Sequence, residues 1–298
     1  MNDAKGTPTV ISDNPMDHIK VESIFHPSDF SQGSQVAFAH ALKMALAAKA
    51  KLSVLHAAST SDADWQDFPG VRDTLERWGL LPKNSPSTAV VDVLGIQVSK
   101  VLSKGRDPVK ACMAYLTKNP ADLIVLAIHR REGRMEWLGK TPVGEPLARA
   151  AGQMTLFVPH GVKGFVSVQD GSVRLKSILI PVAAKPRPQP AIEAAARLIR
   201  NLGFSSGTIT LLHAGKAAEM PSVQTPEIPG WTWKRVVEDG NPAEVILRVA
   251  GESAADLILM TTDGPDGFLD ALRGTTSELV LRQAPCPVAN LPAGSMLG

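Results

Sequence analysis

Along the chain, short apolar runs alternate with stretches of helical period. SIFHP at 23–27 is a short β-rich run, and 34–49 then places Ala37, Ala41, Met44, Ala45 and Ala48 on one helical face. KLSVLHA at 51–57 is again a strand pattern. A helix start follows at Asp107-Pro108, an N-cap residue with a proline behind it. ADLIVLAI at 121–128 is nearly continuous apolar sequence, as a parallel strand covered on both faces requires. A loop, a last helix and a last strand close the unit. This alternation predicts right-handed βαβ crossovers and an open doubly wound sheet.

The same pattern is written twice. SIFHPS at 23–28 answers SILIPV at 177–182, and KLSVLHA at 51–57 answers TITLLHA at 208–214. PADLIVLAIH at 120–129 answers AADLILMTTD at 254–263, and EPLARAAGQMTLFVP at 145–159 answers ELVLRQAPCPVANLP at 278–292. Four matches in one order, at offsets between 133 and 157, make the chain two copies of one domain. The second copy opens its helix at Asn241-Pro242, with Glu244 three residues past the cap. The first inserts WQDFPGVRDTLERWGLL at 65–81, with Val71, Leu75 and Trp78 at helical spacing. The second instead carries a proline-punctuated loop from Gly215 to Gly230, then WTWKRVVE as a strand. Between them, FVSVQDGSVRL at 165–175 alternates around Asp170-Gly171, a hairpin signal. The expected organisation is a first domain at 19–160, a structured linker at 161–174 and a second domain at 175–292.

Composition narrows the function. Of 298 residues, 44% are apolar and 20% charged, which suits a chain with two proper cores. Lys+Arg number 31 against 29 Asp+Glu, so neither nucleic acid nor an anionic membrane is an expected partner. No run of about 18 apolar residues occurs, and the N-terminal stretch lacks the basic-then-apolar pattern of a signal peptide, so a cytoplasmic location is expected. Cys112 and Cys286 lie in different copies and fit no CxxC spacing, which reads as structural thiols.

Taken together, these residues resemble the universal stress protein family in its tandem, two-domain form. The resemblance rests on IFHPSDFS, SVLHA and the block from GRDP to ADLIVLAIH in the first copy. In the second it rests on ILIPV, LLHA, the block from GNPAE to ADLILM, and APCPV. It covers nearly all of 19–160 and 174–292. It implies two flavodoxin-like α/β domains in tandem, each a doubly wound, five-stranded parallel sheet. They would pair about a pseudo-two-fold axis through their last strands, near Leu156–Val158 and Val288–Asn290. It also implies a role in stress adaptation through binding or protein partners, and an intramolecular pseudo-dimer, with a homo-oligomer as a further candidate. It requires no cofactor, and ATP with Mg2+ is the candidate nucleotide.

Members that bind ATP share a loop G-x2-G-x9-G-[S/T] after the fourth strand and an acidic residue ending the first. Glycine lets the backbone approach phosphate, and the helix N-terminus that follows favours its charge. The first copy keeps the acid, Asp29, and loses the loop: Ala127, Arg130 and Thr141 stand at the glycine positions and Pro142 at the hydroxyl position. Arg130, Arg131, Arg134 and Lys140 are then either side-chain phosphate contacts or solvated surface charge. The second copy keeps Gly264, nine residues, Gly274 and Thr275, with Thr276 following and Thr261 in place of the first glycine. It loses the acid, because its first strand ends PVAAKPRP and Ala183 occupies the position of the acid. Its loop carries Asp263, Asp266 and Asp270, which repel phosphate unless a cation such as Mg2+ intervenes. The candidate nucleotide-binding residues are therefore Gly264, Gly274, Thr275, Thr276, Pro181, Asp29 and Arg130.

Other signals carry less. GRMEWLGKT at 133–141 has five residues between its glycines where a P-loop has four, and bulky Met135, Trp137 and Leu138 where a cradle needs small ones. His26, His56 and His129 fall on neighbouring strands if the order is 3-2-1-4-5, but hydrogen-bonded core histidines are commoner than a metal site of this spacing. No nucleophile is paired with a base, and Ser28-Asp29 beside His26 is not a triad because neighbours in a strand face opposite ways. The expectation is a non-enzymatic regulatory protein with degenerate nucleotide sites. The alternatives are an ATP-binding switch using the second loop and a slow ATPase.

Overall fold

A computed structural model describes residues 21–58, 65–104, 107–131, 134–136, 147, 153–262 and 276–293. The first half runs β1 (Ser23–Pro27), α1 (Gln32–Ala48), β2 (Lys51–Ala58), α2 (Val71–Arg77), α3 (Ala89–Asp92) and β3 (Val98–Lys104). It continues with α4 (Pro108–Lys118), β4 (Leu123–Arg131), β5 (Arg134–Glu136) and β6 (Met154–Pro159). The second half runs β7 (Ser177–Pro181), α5 (Gln189–Leu202), β8 (Gly207–Ala214), β9 (Trp231–Glu238), α6 (Pro242–Glu252), β10 (Leu257–Thr262), α7 (Thr276–Gln283) and β11 (Val288–Pro292).

Cap chemistry sets several of these boundaries. Asp107 accepts the Lys110 N–H at 3.1 Å and opens α4, with Pro108 at its first position. Asn241 accepts from Ala243 and Glu244 and opens α6 in the same way. The insertion forms α2, and WTWKRVVE is β9. Two elements have no such local signal. VSKVLSK becomes β3 because it lies beside β2 in parallel register from Leu52↔Val98 to Ala58↔Lys104. β4 also runs on past its buried portion and pairs antiparallel with β5 through His129↔Glu136, Arg130↔Met135 and Arg131↔Arg134. The first half therefore follows its fourth strand with a β-hairpin.

One sheet unites both halves in the order β3-β2-β1-β4-β6-β11-β10-β7-β8-β9, with β5 pairing only β4. Each half has the order 3-2-1-4-5 with parallel neighbours, the flavodoxin-like class expected. The halves join where β6 and β11 pair antiparallel through Val288↔Phe157, Ala289↔Leu156 and Asn290↔Thr155. The repeat offset of 133 maps Thr155, Leu156 and Phe157 onto Val288, Ala289 and Asn290. Each outer pair maps onto the other, so the pseudo-two-fold axis passes through Leu156 and Ala289.

Two buried layers sandwich the sheet. One, under α1 and α5, contains Phe38, Leu42, Ile192 and Ile199; the other, under α4, α6 and α7, contains Cys112, Ile246 and Val280. Burial pushes both thiols, Cys112 and Cys286, up to about 12, so they behave as small hydrophobes. No helix among the described residues is long and apolar enough to cross a membrane.

The repeated Asp of the ADL segments closes the amino end of the sheet in both halves. Asp122 Oδ2 accepts from the Glu22 and Ser23 N–H groups at 2.9 and 2.8 Å. Asp256 Oδ2 does the same for Lys176 and Ser177 at 2.7 and 2.9 Å. The linker is docked as well as folded. Val166 and Val173 bridge antiparallel, and the Trp78 Nε1–H donates to the Val168 carbonyl at 3.1 Å. His40, fully buried in α1, donates Nδ1–H to Val36 O and accepts the Phe165 and Val166 N–H groups on Nε2 at 3.0 and 3.2 Å.

Candidate functional site

In an open α/β sheet, ligands sit outside the carboxyl ends of the strands, where the order reverses. In the first half that edge is formed by the segment leaving β1. The Asp29 carboxylate accepts the Ser31 N–H at 3.0 Å, and Ser31 in turn caps α1 by accepting from Ser34 N at 3.2 Å. Asp29 thus helps to set the helix start, a local Asx turn that its sequence position alone does not announce. Phe30 between them holds a positive φ of 62° and stacks on His56 at 3.9 Å, with Phe68 from the insertion edge-on at 5.2 Å. An aromatic cluster therefore lies over this end of β1 and β2.

The two histidines expected near this edge serve the backbone. His56 Nδ1–H donates to the Ser28 carbonyl at 2.7 Å, and His26 Nδ1–H donates to Val125 O at 2.8 Å. A buried chain continues from His26 Nε2 through Ser34 Oγ at 3.4 Å to Ser28 Oγ at 2.9 Å. Burial holds the His26 imidazole down at about 4, so it is neutral and its second nitrogen accepts. Among the described residues no group of three or more His, Cys, Asp and Glu side chains is placed to hold a metal ion. Arg130 lies in the β4–β5 hairpin by its backbone pairing; its side chain, like those of His129, Arg131 and Arg134, lies outside the described residues, as do Lys140 and Thr141 altogether.

In the second half the same edge is a cavity of about 470 Å³. Pro181 at the end of β7 and Ala183 beyond it, Leu212 and Ala214 on β8, Ile246 on α6 and Met260 on β10 line it, with Thr276 and Ser277 at the start of α7. Two of the candidate residues, Pro181 and Thr276, are thereby brought to one cavity from positions 95 residues apart. Thr261, at the place of the first loop glycine, lines it too. Gly264, Gly274 and Thr275 lie outside the described residues. The segment beyond β7 is pinned as in the first half: the His213 Nδ1–H donates to the Val182 carbonyl at 2.9 Å. That duplicated histidine, weighed in the sequence as a hydrogen-bonded core residue against a metal ligand, shapes the edge by pinning the backbone, and its signal is the repeated L-H-A of β2 and β8. Lys185 is the one charged side chain among the described lining residues.

Comparison with known proteins agrees with this architecture. The family model described as the universal stress protein family matches residues 21–159 and 225–292. A universal stress protein of Methanothermobacter thermautotrophicus is 38% identical over 63 residues, which is 21% of this chain and 42% of that protein. The match thus spans less than half of that relative's length. Among solved structures, a universal stress protein from Archaeoglobus fulgidus superposes with a TM-score of 0.57 at 19% identity, covering 91% of this chain and 98% of that one. A functionally unknown protein from Pseudomonas aeruginosa PAO1 gives a TM-score of 0.59 at 16% identity, over 94% and 95% of the two chains. At such identities the likeness is one of fold.

Proposed function

The chain belongs to the universal stress protein family, and from that membership we propose that it is a non-enzymatic regulatory protein of stress adaptation, acting in the cytoplasm through binding. Its two carboxyl-edge sites have diverged from a nucleotide site, and the second half holds the working ligand pocket. The observation that carries this reading is the cavity at the second edge. The second half has a cavity of about 470 Å³, within the roughly 300–1,000 Å³ of small-molecule sites. The first half has Phe30 stacked on His56 and an acid already bonded to Ser31 N–H. The Ser34–His26 contact at the first edge is buried, with Ser34 2% and His26 0% exposed, so its hydroxyl is closed to a substrate, which supports binding over turnover.

ATP with Mg2+ fits the second cavity poorly. Ala183 stands where the acid would meet the base or ribose; the carboxylates that would ligate Mg2+, Asp263, Asp266 and Asp270, lie outside the described residues. One feature favours the alternative, an ATP-binding switch: Thr276 and Ser277, which follow the Gly264–Thr275 loop in sequence, line the cavity at the start of a helix. Isothermal titration of the full chain with ATP and Mg2+ separates the two readings. Degenerate sites give no heat at millimolar ligand. Micromolar binding that Gly274→Asp abolishes establishes the switch instead.

A further inference from the structure

We infer that the second-half cavity takes a compact amphipathic acid, an apolar body bearing a single carboxylate-sized anion, in place of a nucleotide. The inference rests on the reading of that cavity as a ligand site. Leu212, Ile246 and Met260 present hydrocarbon and thioether surface to the cavity, where a purine and ribose need fixed polar partners. The backbone at the strand end is already committed. The Val182 N–H donates to Leu212 O at 2.8 Å, and the Val182 carbonyl accepts from His213 at 2.9 Å. The N–H of that residue is therefore not left to read a base edge, and its carbonyl retains one lone pair.

The polar part of the described lining suits one small anion. Lys185 supplies a single ammonium on a flexible stem, a point-charge partner for one acid group, and Thr276 and Ser277 supply hydroxyl donors. A triphosphate of about three to four negative charges needs either several cations or a metal ion held by carboxylates. The carboxylates of the loop after β10, Asp263, Asp266 and Asp270, lie outside the described residues, and within the described lining Lys185 is the one charge. A monoanion matches that charge, and its apolar remainder matches the wall.

Fluorescence titration of the full-length chain with 1-anilinonaphthalene-8-sulfonate, followed by displacement, tests the inference. We expect saturable binding of one probe per chain. Octanoate should displace it at a concentration at least tenfold lower than either 1-octanol or ATP with Mg2+. Lys185→Gln should remove the advantage of octanoate over 1-octanol, and Ala214→Trp should remove probe binding while leaving the circular dichroism spectrum intact. If Ala214→Trp fails to fold, Ala183→Trp at an exposed lining position serves as the blocking variant. Equal displacement by octanoate and 1-octanol overturns recognition of the acid. Displacement by ATP with Mg2+ at lower concentration than octanoate overturns the ligand class and leaves the cavity as a site. Probe binding unchanged in a folded blocking variant overturns both.

Discussion

At the scale of single residues, the buried histidines make the molecule sensitive to acid. Burial lowers His26 and His40 from 6.5 to about 4. Because the folded value lies below the unfolded one, the folded state binds fewer protons. The contribution is present in full above pH 6.5 and is lost as pH falls toward 4, at about 3 kcal/mol per histidine. Protonating His40 also sets an N–H against the two linker N–H groups that its Nε2 accepts. In urea unfolding, the stability gap between the wild type and His40→Gln is expected to be largest at pH 7 and to close near pH 4; a gap independent of pH contradicts the neutral-acceptor role. The paired aspartates act through charge-assisted bonds to backbone N–H groups. Asp122→Ala and Asp256→Ala should each cost roughly 1–3 kcal/mol. The double variant should cost close to their sum, since three strand spacings of about 4.8 Å separate their strands. A double-variant cost well short of the sum argues against two independent clamps.

At the scale of elements, what was legible in the sequence is what local chemistry writes down. The caps at Asp107 and Asn241, the apolar runs of β4 and β10 and the alternation of the linker all depend on neighbours within a few residues, so spacing reveals them. β3 was not legible, because VSKVLSK is held by β2 some 46 residues away. The β4–β5 hairpin, likewise, interrupts a pattern that the repeat itself led one to expect. At the site, sequence reading named Pro181 and Thr276, which line the cavity, but the apolar character of the cavity was not legible. It arises from Leu212, Ile246 and Met260, three elements meeting at one edge. The β6–β11 junction holds a residue without a partner among the described residues: Asn290 is 2% exposed and neither of its side-chain amide atoms is hydrogen-bonded to any of them. Its repeat counterpart is Phe157. Replacing Asn290 by leucine removes two unsatisfied polar atoms on a side chain of the same branching but larger volume, and should raise stability by up to about 1–3 kcal/mol in urea where the added bulk is accommodated. A loss of stability would mean that an ordered water serves the amide.

At the scale of the whole molecule, the single sheet and the docked linker make two homologous halves one body, within which each half was free to change. Ala289→Pro on the central strand β11 deletes a ladder donor at the pseudo-axis, and thermal unfolding should then split into two transitions where the wild type shows one. Duplication allowed the first half to keep its acid and lose its glycine loop while the second did the reverse, and the central claim is that the second half alone retains a working pocket. Mass spectrometry of small molecules released from the purified full chain tests it most directly. The wild type and Asp29→Asn, which keeps the acceptor for Ser31 N–H, are expected to carry one small molecule per chain, and Ala214→Trp to carry none. Loss of the ligand in Asp29→Asn, or its retention in a folded Ala214→Trp, would place the working site elsewhere and contradict the account.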